Sequence, residues 1–188
     1  MRIIAGKFKG FALSITKDQG TRPLKDMTRE SIFNLLIHSN KISFQLNQSK
    51  ILDLYAGTGS FGLECLSRQA KCVYFVENKN SAFKILEQNV QKLKIENKTK
   101  TYFGDVFKLI KKKIFTSKFD LIFCDPPYRI VNLVELIDLI FKNNLLKENG
   151  IIILHRNKTS NEKFPDYLNI LDVRIYGVSK IIFGKFLS

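Results

Sequence analysis

Four consecutive residues, Asp125 to Tyr128 ("DPPY"), follow the most apolar run of the chain directly and combine unusual chemistry. Two prolines in a row cannot donate to a sheet ladder, so a strand must stop there. A residue before a proline is pushed towards extended geometry, which makes Asp125 and Pro126 a stiff segment. The Asp125 carboxylate and the Pro126 carbonyl can therefore point two acceptors at one amino group. Tyr128 adds a flat face on which a base can stack.

An exocyclic amine on a base is a poor nucleophile because its lone pair is delocalised into the ring. Two acceptors that hold its two N–H bonds favour a pyramidal nitrogen, whose lone pair can then point towards an electrophilic methyl group. This chemistry needs no strongly basic residue. A hydride transfer, in contrast, gives these four residues no role.

A glycine pattern earlier in the chain indicates a cofactor loop. Gly57, Gly59 and Gly62 form G-x-G-x-x-G between an apolar run and a helical segment, and Glu77 follows Gly57 by about 20 positions. Such a loop and the following helix start suit a phosphate or a carboxylate. On this pattern alone a nicotinamide cofactor, S-adenosylmethionine and a purely structural turn all remain open. The "DPPY" segment favours S-adenosylmethionine.

Three acidic residues are the remaining candidates for the cofactor site. Glu77 can accept hydrogen bonds from ribose hydroxyls, and Asp105 can accept one from the exocyclic amine of adenine. Asp53 either contacts the amino group of the cofactor or only caps the loop. All three come at or near the predicted ends of strands, where open α/β sheets bind ligands.

From residue 50 onwards, short apolar runs alternate with amphipathic helical segments, which predicts an α/β fold. Alternation of this kind is typical of a largely parallel sheet covered on both faces. Two β-like runs around Gly177 are too close together for a crossover, so we expect an antiparallel pair at one end of the sheet. The predicted strands are "KILDLY", "CVYFVE", "KTYFG", "FDLIFCD" and "GIIILHR".

The first 45 residues form a basic extension, and residues 46–188 form the predicted catalytic domain. Alternation around two glycines predicts a small β-hairpin over residues 2–15, followed by a turn at Arg22-Pro23 and a helix that begins near Asp26 or Thr28. Residues 1–50 hold nine Lys or Arg and three Asp or Glu, within a net charge of +14. A nucleic-acid surface fits this excess, and a solvated basic surface is the alternative.

Composition narrows the class of protein. The 188 residues suffice for one domain, and the three cysteines have no C-x-x-C spacing, as expected for reduced core residues. No run is long enough for a signal peptide or a membrane span, so we expect a soluble cytoplasmic protein. His38 and His155 have no second ligand nearby in sequence, so no metal site is expected. Nothing predicts a coiled coil or a repeat, which makes a monomer the expected state.

Several blocks of the chain resemble, in order, the RsmD family of class I amino-methyltransferases: "RIIAGKFKG", "RPLKDMTRESIFNLL", "LDLYAGTGSFGLECLSRQA", "DLIFCDPPY" and "YGVSKIIFGKF". The resemblance runs nearly end to end. It implies a Rossmann-like fold, with a mostly parallel seven-stranded sheet, helices on both faces and an antiparallel C-terminal hairpin. It also implies transfer of a methyl group from S-adenosylmethionine to the exocyclic N2 of a guanine in 16S ribosomal RNA, free or in a 30S assembly particle.

The resemblance also implies roles for individual residues. It places the cofactor contacts at Asp53, Ala56, Gly57, Gly59, Glu77 and Asp105, catalysis at Asp125, Pro126 and Tyr128, and RNA contacts at Arg2, Lys7, Arg22 and Arg29. Two positions depart from the family: Met27 replaces an arginine, and His155-Arg156 stands where many members have an acidic residue. A DNA or protein amino-methyltransferase and a non-catalytic RNA-binding assembly factor remain the alternative functions.

Overall fold

The computed structural model describes residues 1–16, 24, 26–127 and 132–187, in which it has seven β-strands, five α-helices and one short 3₁₀ helix, Glu96–Lys98. The strands are β1 (Lys50–Leu54), β2 (Cys72–Glu77), β3 (Thr99–Phe103), β4 (Phe119–Cys124), β5 (Leu146–Asn157), β6 (Leu168–Tyr176) and β7 (Ser179–Phe186). The helices are α1 (Asp26–His38), α2 (Ser60–Ser67), α3 (Asn80–Leu93), α4 (Val106–Lys111) and α5 (Leu133–Lys142).

All seven strands form one sheet in the order β3-β2-β1-β4-β5-β7-β6. The first five are parallel, whereas β7 runs antiparallel to both of its neighbours, β5 and β6. This confirms the predicted parallel sheet and the antiparallel C-terminal hairpin. Since Leu54 pairs with Cys124, the chain leaves β1 and β4 side by side at the carboxyl edge of the sheet.

Each face of the sheet is covered by its own hydrophobic core. On β4, Leu121 and Phe123 pack with residues of α1, α2 and α3, whereas Ile122 and Cys124 pack with residues of α4 and α5. Side chains alternate between the faces of a strand, so Asp125 continues the row that faces α1, α2 and α3. The sheet therefore directs Asp125 to the same face as Asp53, which follows Ile51 by two positions.

The N-terminal extension is less regular than expected. Arg2 and Ala12 form an isolated antiparallel bridge rather than two paired strands. Ile3 and Leu13 are nevertheless buried in the core shared with α1 and α2. A second difference concerns β5, which begins at Leu146 rather than at Gly150, with an irregular register in its pairing with β4. The predicted turn at Arg22-Pro23 lies outside the described residues.

A buried carboxylate holds the N-terminal segment on the sheet domain. Glu64, in α2, has no exposed surface and accepts hydrogen bonds from the backbone N–H groups of Ile4 (2.7 Å) and Ala5 (3.0 Å). It also accepts one from Arg68 Nε at 2.8 Å, and Arg29 Nε lies 4.0 Å away. Segments about 60 residues apart in the chain therefore meet at one charge.

The structure corrects the role predicted for Arg29. Its side chain is 0% exposed, and its Nη2 donates to the backbone carbonyl of Arg2 and to Asp26 Oδ1. Burial lowers the pKa of Arg29, and the charges of Asp26 and Glu64 act against this effect. Arg29 therefore lacks the exposed surface that a contact with RNA requires. Its guanidinium instead joins the start of the chain to α1.

Replacing Glu64 by Ala is expected to lower the free energy of unfolding by about 3–5 kcal/mol, because the buried Arg29 then loses a compensating charge. Urea unfolding followed by circular dichroism measures the change. The matched control is Glu87→Ala at an exposed position of α3, where the change is expected to stay within about 0.5 kcal/mol. Equal stabilities of the two variants would contradict the role given to Glu64.

Candidate functional site

The loop between β1 and α2 uses its two glycines for different purposes. Gly59 has a left-handed backbone (φ 86°), which favours glycine, and a Cβ there would come within 2.4 Å of Leu86 Cδ1, so Gly59 packs closely against α3. Gly57 is also left-handed (φ 57°), but a Cβ there would meet nothing within 4 Å. The open space beside Gly57 fits the close approach of a ligand to the backbone, whereas the sequence assigned that role to both glycines.

The rest of the loop is tied to the sheet. The Ala56 N–H donates to the Val76 carbonyl (2.9 Å), and the Ala56 carbonyl accepts from the Gly59 N–H (2.8 Å). Gly59 is the N-cap of α2 and has no side chain to accept from the first N–H groups of the helix. Asp53 takes the Gly62 N–H of the first turn, and a ligand carboxylate fits the rest of this helix start, since its N–H groups and the helix dipole favour an anion.

Glu77, the last residue of β2, is hydrogen-bonded to the cofactor loop. Its Oε2 accepts from the Gly57 N–H and its Oε1 from the Lys79 N–H, both at 2.7 Å. The residue is 8% exposed. A carboxylate has about four lone-pair sites, so both oxygens can still accept from hydroxyl groups of a ligand. Glu77 therefore fits the predicted ribose acceptor and also fixes the loop through Gly57.

Asp53 lies below the loop and is 1% exposed. Its Oδ2 accepts from the Gly62 N–H at 3.0 Å, so it holds the first turn of α2 against β1. Burial raises the pKa of Asp53 well above its ordinary value, and the nearby charges of Asp125 and Glu77 raise it further. These carboxylates give the pocket a negative potential that favours a positively charged ligand.

Asp105 and Tyr55 border the site near β3. Asp105 caps α4, where its Oδ1 accepts from the Lys108 N–H at 2.9 Å. Tyr55, directly after β1, has a buried hydroxyl without a hydrogen-bond partner among the described residues. Burial raises the pKa of Tyr55, with smaller contributions from Cys124 and Asp105. A ligand edge that carries both a donor and an acceptor would satisfy Asp105 and Tyr55 together.

Asp125 lies directly beyond β4, beside the end of β1. Its N–H donates to the Leu54 carbonyl at 3.4 Å, and its side chain is 23% exposed. Pro126 is buried and Pro127 is exposed. Tyr128, the predicted stacking residue, lies outside the described residues. The fold thus brings Asp53, Gly57, Glu77 and Asp125 to one edge of the sheet, as the sequence predicts.

The sequence missed a neighbour of Asp125. His155 Nδ1 lies 2.7 Å from Asp125 Oδ1, and His155 Nε2 lies 2.9 Å from Ser179 Oγ. The signal that could have found it is strand order: Cys124 pairs with Leu154, so the next residues on β4 and β5 are Asp125 and His155. Sequence alone does not reveal that β5 lies beside β4.

The structure describes three of the four predicted RNA contacts, and Arg29 is the buried one. Arg2 and Lys7 are exposed. The Lys7 N–H donates to the carbonyl of Ser67, the last residue of α2, which lies about 12 Å along that helix from the cofactor loop. Arg22 lies outside the described residues. Contact of Arg2 and Lys7 with RNA stays a prediction.

A groove of about 700 Å³ lies between the end of α1 and the end of β6. Ile181 in β7 pairs with His155 in β5 and with Arg174 in β6. Arg174 therefore lies level with His155 across the sheet, two strand spacings or about 10 Å away. The groove is therefore on the same face and edge of the sheet as Asp125. Its lining includes Asn34, His38, Asn40, Lys41, Arg174 and Tyr176.

Two features, a membrane-spanning helix and a metal-binding cluster, are absent from the part of the chain that the structure describes. None of the helices found there is both long and apolar enough to cross a membrane. The same residues contain no group of three or more His, Cys, Asp or Glu side chains arranged to hold a metal ion.

Comparisons with known proteins cover nearly the whole chain. The family model described as "Conserved hypothetical protein 95" matches residues 1–185. "Ribosomal RNA small subunit methyltransferase D" of Haemophilus influenzae is 32% identical over 95% of this chain and 90% of that protein. Its Escherichia coli (strain K12) namesake is 31% identical over 81% and 72%. A solved structure from Haemophilus influenzae has a TM-score of 0.79 at 31% identity and covers 100% of this chain and 98% of that one.

Replacing Asp53 by Asn is expected to stabilise the fold at neutral pH and to weaken cofactor binding. The folded-state pKa of Asp53 is raised, so its ionisation removes stability as the pH rises from the unfolded-state pKa through the folded-state value. Asn keeps an acceptor for Gly62 and has no charge. The stability gain should appear in urea unfolding at pH 7 and vanish below about pH 4.

The same variant should bind S-adenosylmethionine about tenfold more weakly by calorimetry, because one charge-assisted interaction is lost. Unchanged affinity would mean that Asp53 only caps the loop.

Proposed function

Because the chain belongs to the family of ribosomal RNA small subunit methyltransferase D, we propose that it methylates the exocyclic N2 of a guanine in 16S ribosomal RNA. The methyl donor is S-adenosylmethionine. The observation that carries the proposal is the juxtaposition of Asp125 with the glycine loop at the carboxyl ends of β4 and β1. A methyl group and an amine can meet only where the cofactor pocket and the amine acceptors adjoin.

The residues present fit this cofactor. The methionine carboxylate suits the start of α2 at Gly59, which has no capping side chain of its own, and the open space at Gly57 admits the cofactor next to the backbone. Glu77 takes the ribose hydroxyls, while Asp105 and Tyr55 suit the adenine edge. The carboxylates of Asp53, Asp125 and Glu77 favour the positive charges of the cofactor. S-adenosylmethionine, when bound, supplies an electrophilic methyl group.

The chain's own residues orient the amine. The Asp125 carboxylate and the Pro126 carbonyl accept its two N–H bonds, which directs the nitrogen lone pair towards the methyl group. One proton leaves the nitrogen after the new N–C bond has formed. Tyr128 is proposed to stack on the base. Selection of guanine N2 rests on family membership, because the acceptors themselves specify only an amino group.

The RNA is proposed to lie along the carboxyl edge, with nucleotides beside the target in the groove between α1 and β6. Lys41 provides positive charge there, Arg174 adds a guanidinium that is paired with Asp172 at 2.9 Å, and Tyr176 provides an aromatic face. Charge and aromatic surface together suit an unpaired strand. The net charge of +14 supports a polyanionic partner. We expect the protein to act in the cytoplasm, on free 16S RNA or on a 30S assembly particle, and to work as a monomer without a metal ion.

The first test is transfer of labelled methyl from S-adenosylmethionine to 16S RNA in 30S particles that lack this modification, with the product identified by mass. The expected product is N2-methylguanosine. Asp125→Ala should lower the rate about 100-fold, with normal folding and a much smaller loss of cofactor affinity, whereas Asp166→Ala at an exposed loop position should keep the rate.

If label entered DNA or protein instead, the enzyme would be an amino-methyltransferase of another substrate class. Cofactor binding without any transfer would leave a non-catalytic assembly factor as the remaining function.

Lys41→Glu is expected to weaken binding of 16S RNA fragments several-fold and to lower the slope of log K against log salt concentration by about one. The matched control is Lys118→Glu, which changes the net charge equally but lies before β4, at the opposite edge of the sheet. Titrations at several salt concentrations measure both variants. Equal losses would show that only overall charge matters and would remove the groove from the RNA path.

A further inference from the structure

The carboxylate proposed to hold the amine is itself held by a buried histidine. His155 Nδ1 lies 2.7 Å from Asp125 Oδ1, and the histidine side chain is 8% exposed. The other ring nitrogen, Nε2, lies 2.9 Å from the Ser179 hydroxyl at the start of β7. One chain of hydrogen bonds therefore joins Ser179 in β7 to His155 in β5 and to Asp125, directly after β4. It ends at the carboxylate that is proposed to hold the amine.

The contact with the Asp125 carboxylate fixes the role of Nδ1. An ionised carboxylate only accepts hydrogen bonds, so Nδ1 must carry a proton and donate it to Oδ1. In a neutral ring Nε2 is then an acceptor, and the Ser179 hydroxyl can donate to it. This arrangement leaves Oδ2 of Asp125 for a ligand.

We propose that His155 is a positioning residue, which holds Oδ1 of Asp125 so that Oδ2 is aimed at the amino group to be methylated. The inference rests on the proposed function. It also extends that function, because it assigns a role to His155, which the proposed mechanism does not otherwise use.

The electrostatics of the pocket explain why Asp125 needs a fixed donor. Asp53 lies close enough for the Asp125 charge to act on it, so the two carboxylates repel each other. Asp125 is also partly exposed, at a point where the ladder of β4 has ended. Without the His155 N–H, rotation of the carboxylate would relieve this repulsion and move Oδ2 away from the amine.

Two variants of His155 separate positioning from packing. His155→Leu keeps an apolar volume and removes the donor, whereas His155→Asn places an amide N–H close to the position of Nδ1. We expect His155→Leu to lower kcat at least tenfold, because misplacement of a reacting group by about 1 Å can cost up to about 100-fold. KM for RNA and Kd for S-adenosylmethionine should stay near the wild-type values.

His155→Asn should recover most of the lost rate. A wild-type kcat in His155→Leu would overturn the inference. It would also be overturned if His155→Asn were as slow as His155→Leu while both variants fold and bind the cofactor.

A spectroscopic test does not depend on activity. The chain has only two histidines, so long-range ¹⁵N–¹H spectra, with His38→Gln for assignment, report the tautomer of His155 directly. The expected result is the Nδ1–H tautomer in the wild type, with a shifted signal in Asp125→Ala.

A wild-type ring protonated only at Nε2 would overturn the positioning role. If the wild type failed to methylate RNA but showed the Nδ1–H tautomer that responds to Asp125→Ala, the proposed function would fail and the interaction would stand.

Discussion

The parallel pairing of β1 with β4 is the constraint on which the site depends. Because Leu54 pairs with Cys124, β1 ends beside the start of the "DPPY" segment, and the glycine loop follows directly. The Asp125 N–H donates to the Leu54 carbonyl. Both strands are short and buried, and a slip of one residue between them would place Asp53 and Asp125 on opposite faces of the sheet. The hydrophobic cores on the two faces fix the register against such a slip.

Buried carboxylates serve two different purposes around this pairing. Glu64 is neutralised by backbone N–H groups and by Arg29 and Arg68, so it joins the N-terminal segment to α1 and α2. Asp53, in contrast, accepts from the Gly62 N–H and faces like charges, and burial together with these charges raises its pKa. The contacts of Glu64 stabilise the fold. The buried carboxylate of Asp53 instead lowers the stability of the fold, and a cationic ligand can offset this loss. Local instability of this kind is common at binding sites.

The sequence anticipated most of the fold but not every contact. The parallel sheet and the C-terminal hairpin follow from local apolar patterns and short connections, and both are confirmed. The family resemblance implied an RNA contact for Arg29, yet contacts with Arg2, Asp26 and Glu64 bury it. The irregular extension of β5 to Leu146 also escaped prediction, because its residues 147–149 are polar and exposed.

The candidate site also has features that the sequence determined and features that only the tertiary structure decided. Sequence by itself determined the chemical types: a glycine loop, acidic residues at strand ends, and a stiff acceptor pair at Asp125 and Pro126, because backbone freedom and hydrogen-bonding capacity are local properties. Tertiary structure decided which glycine faces open space, which carboxylates share a pocket, and that His155 and Ser179 stand behind Asp125. These relations depend on strand order, which is set by packing between residues far apart in the chain.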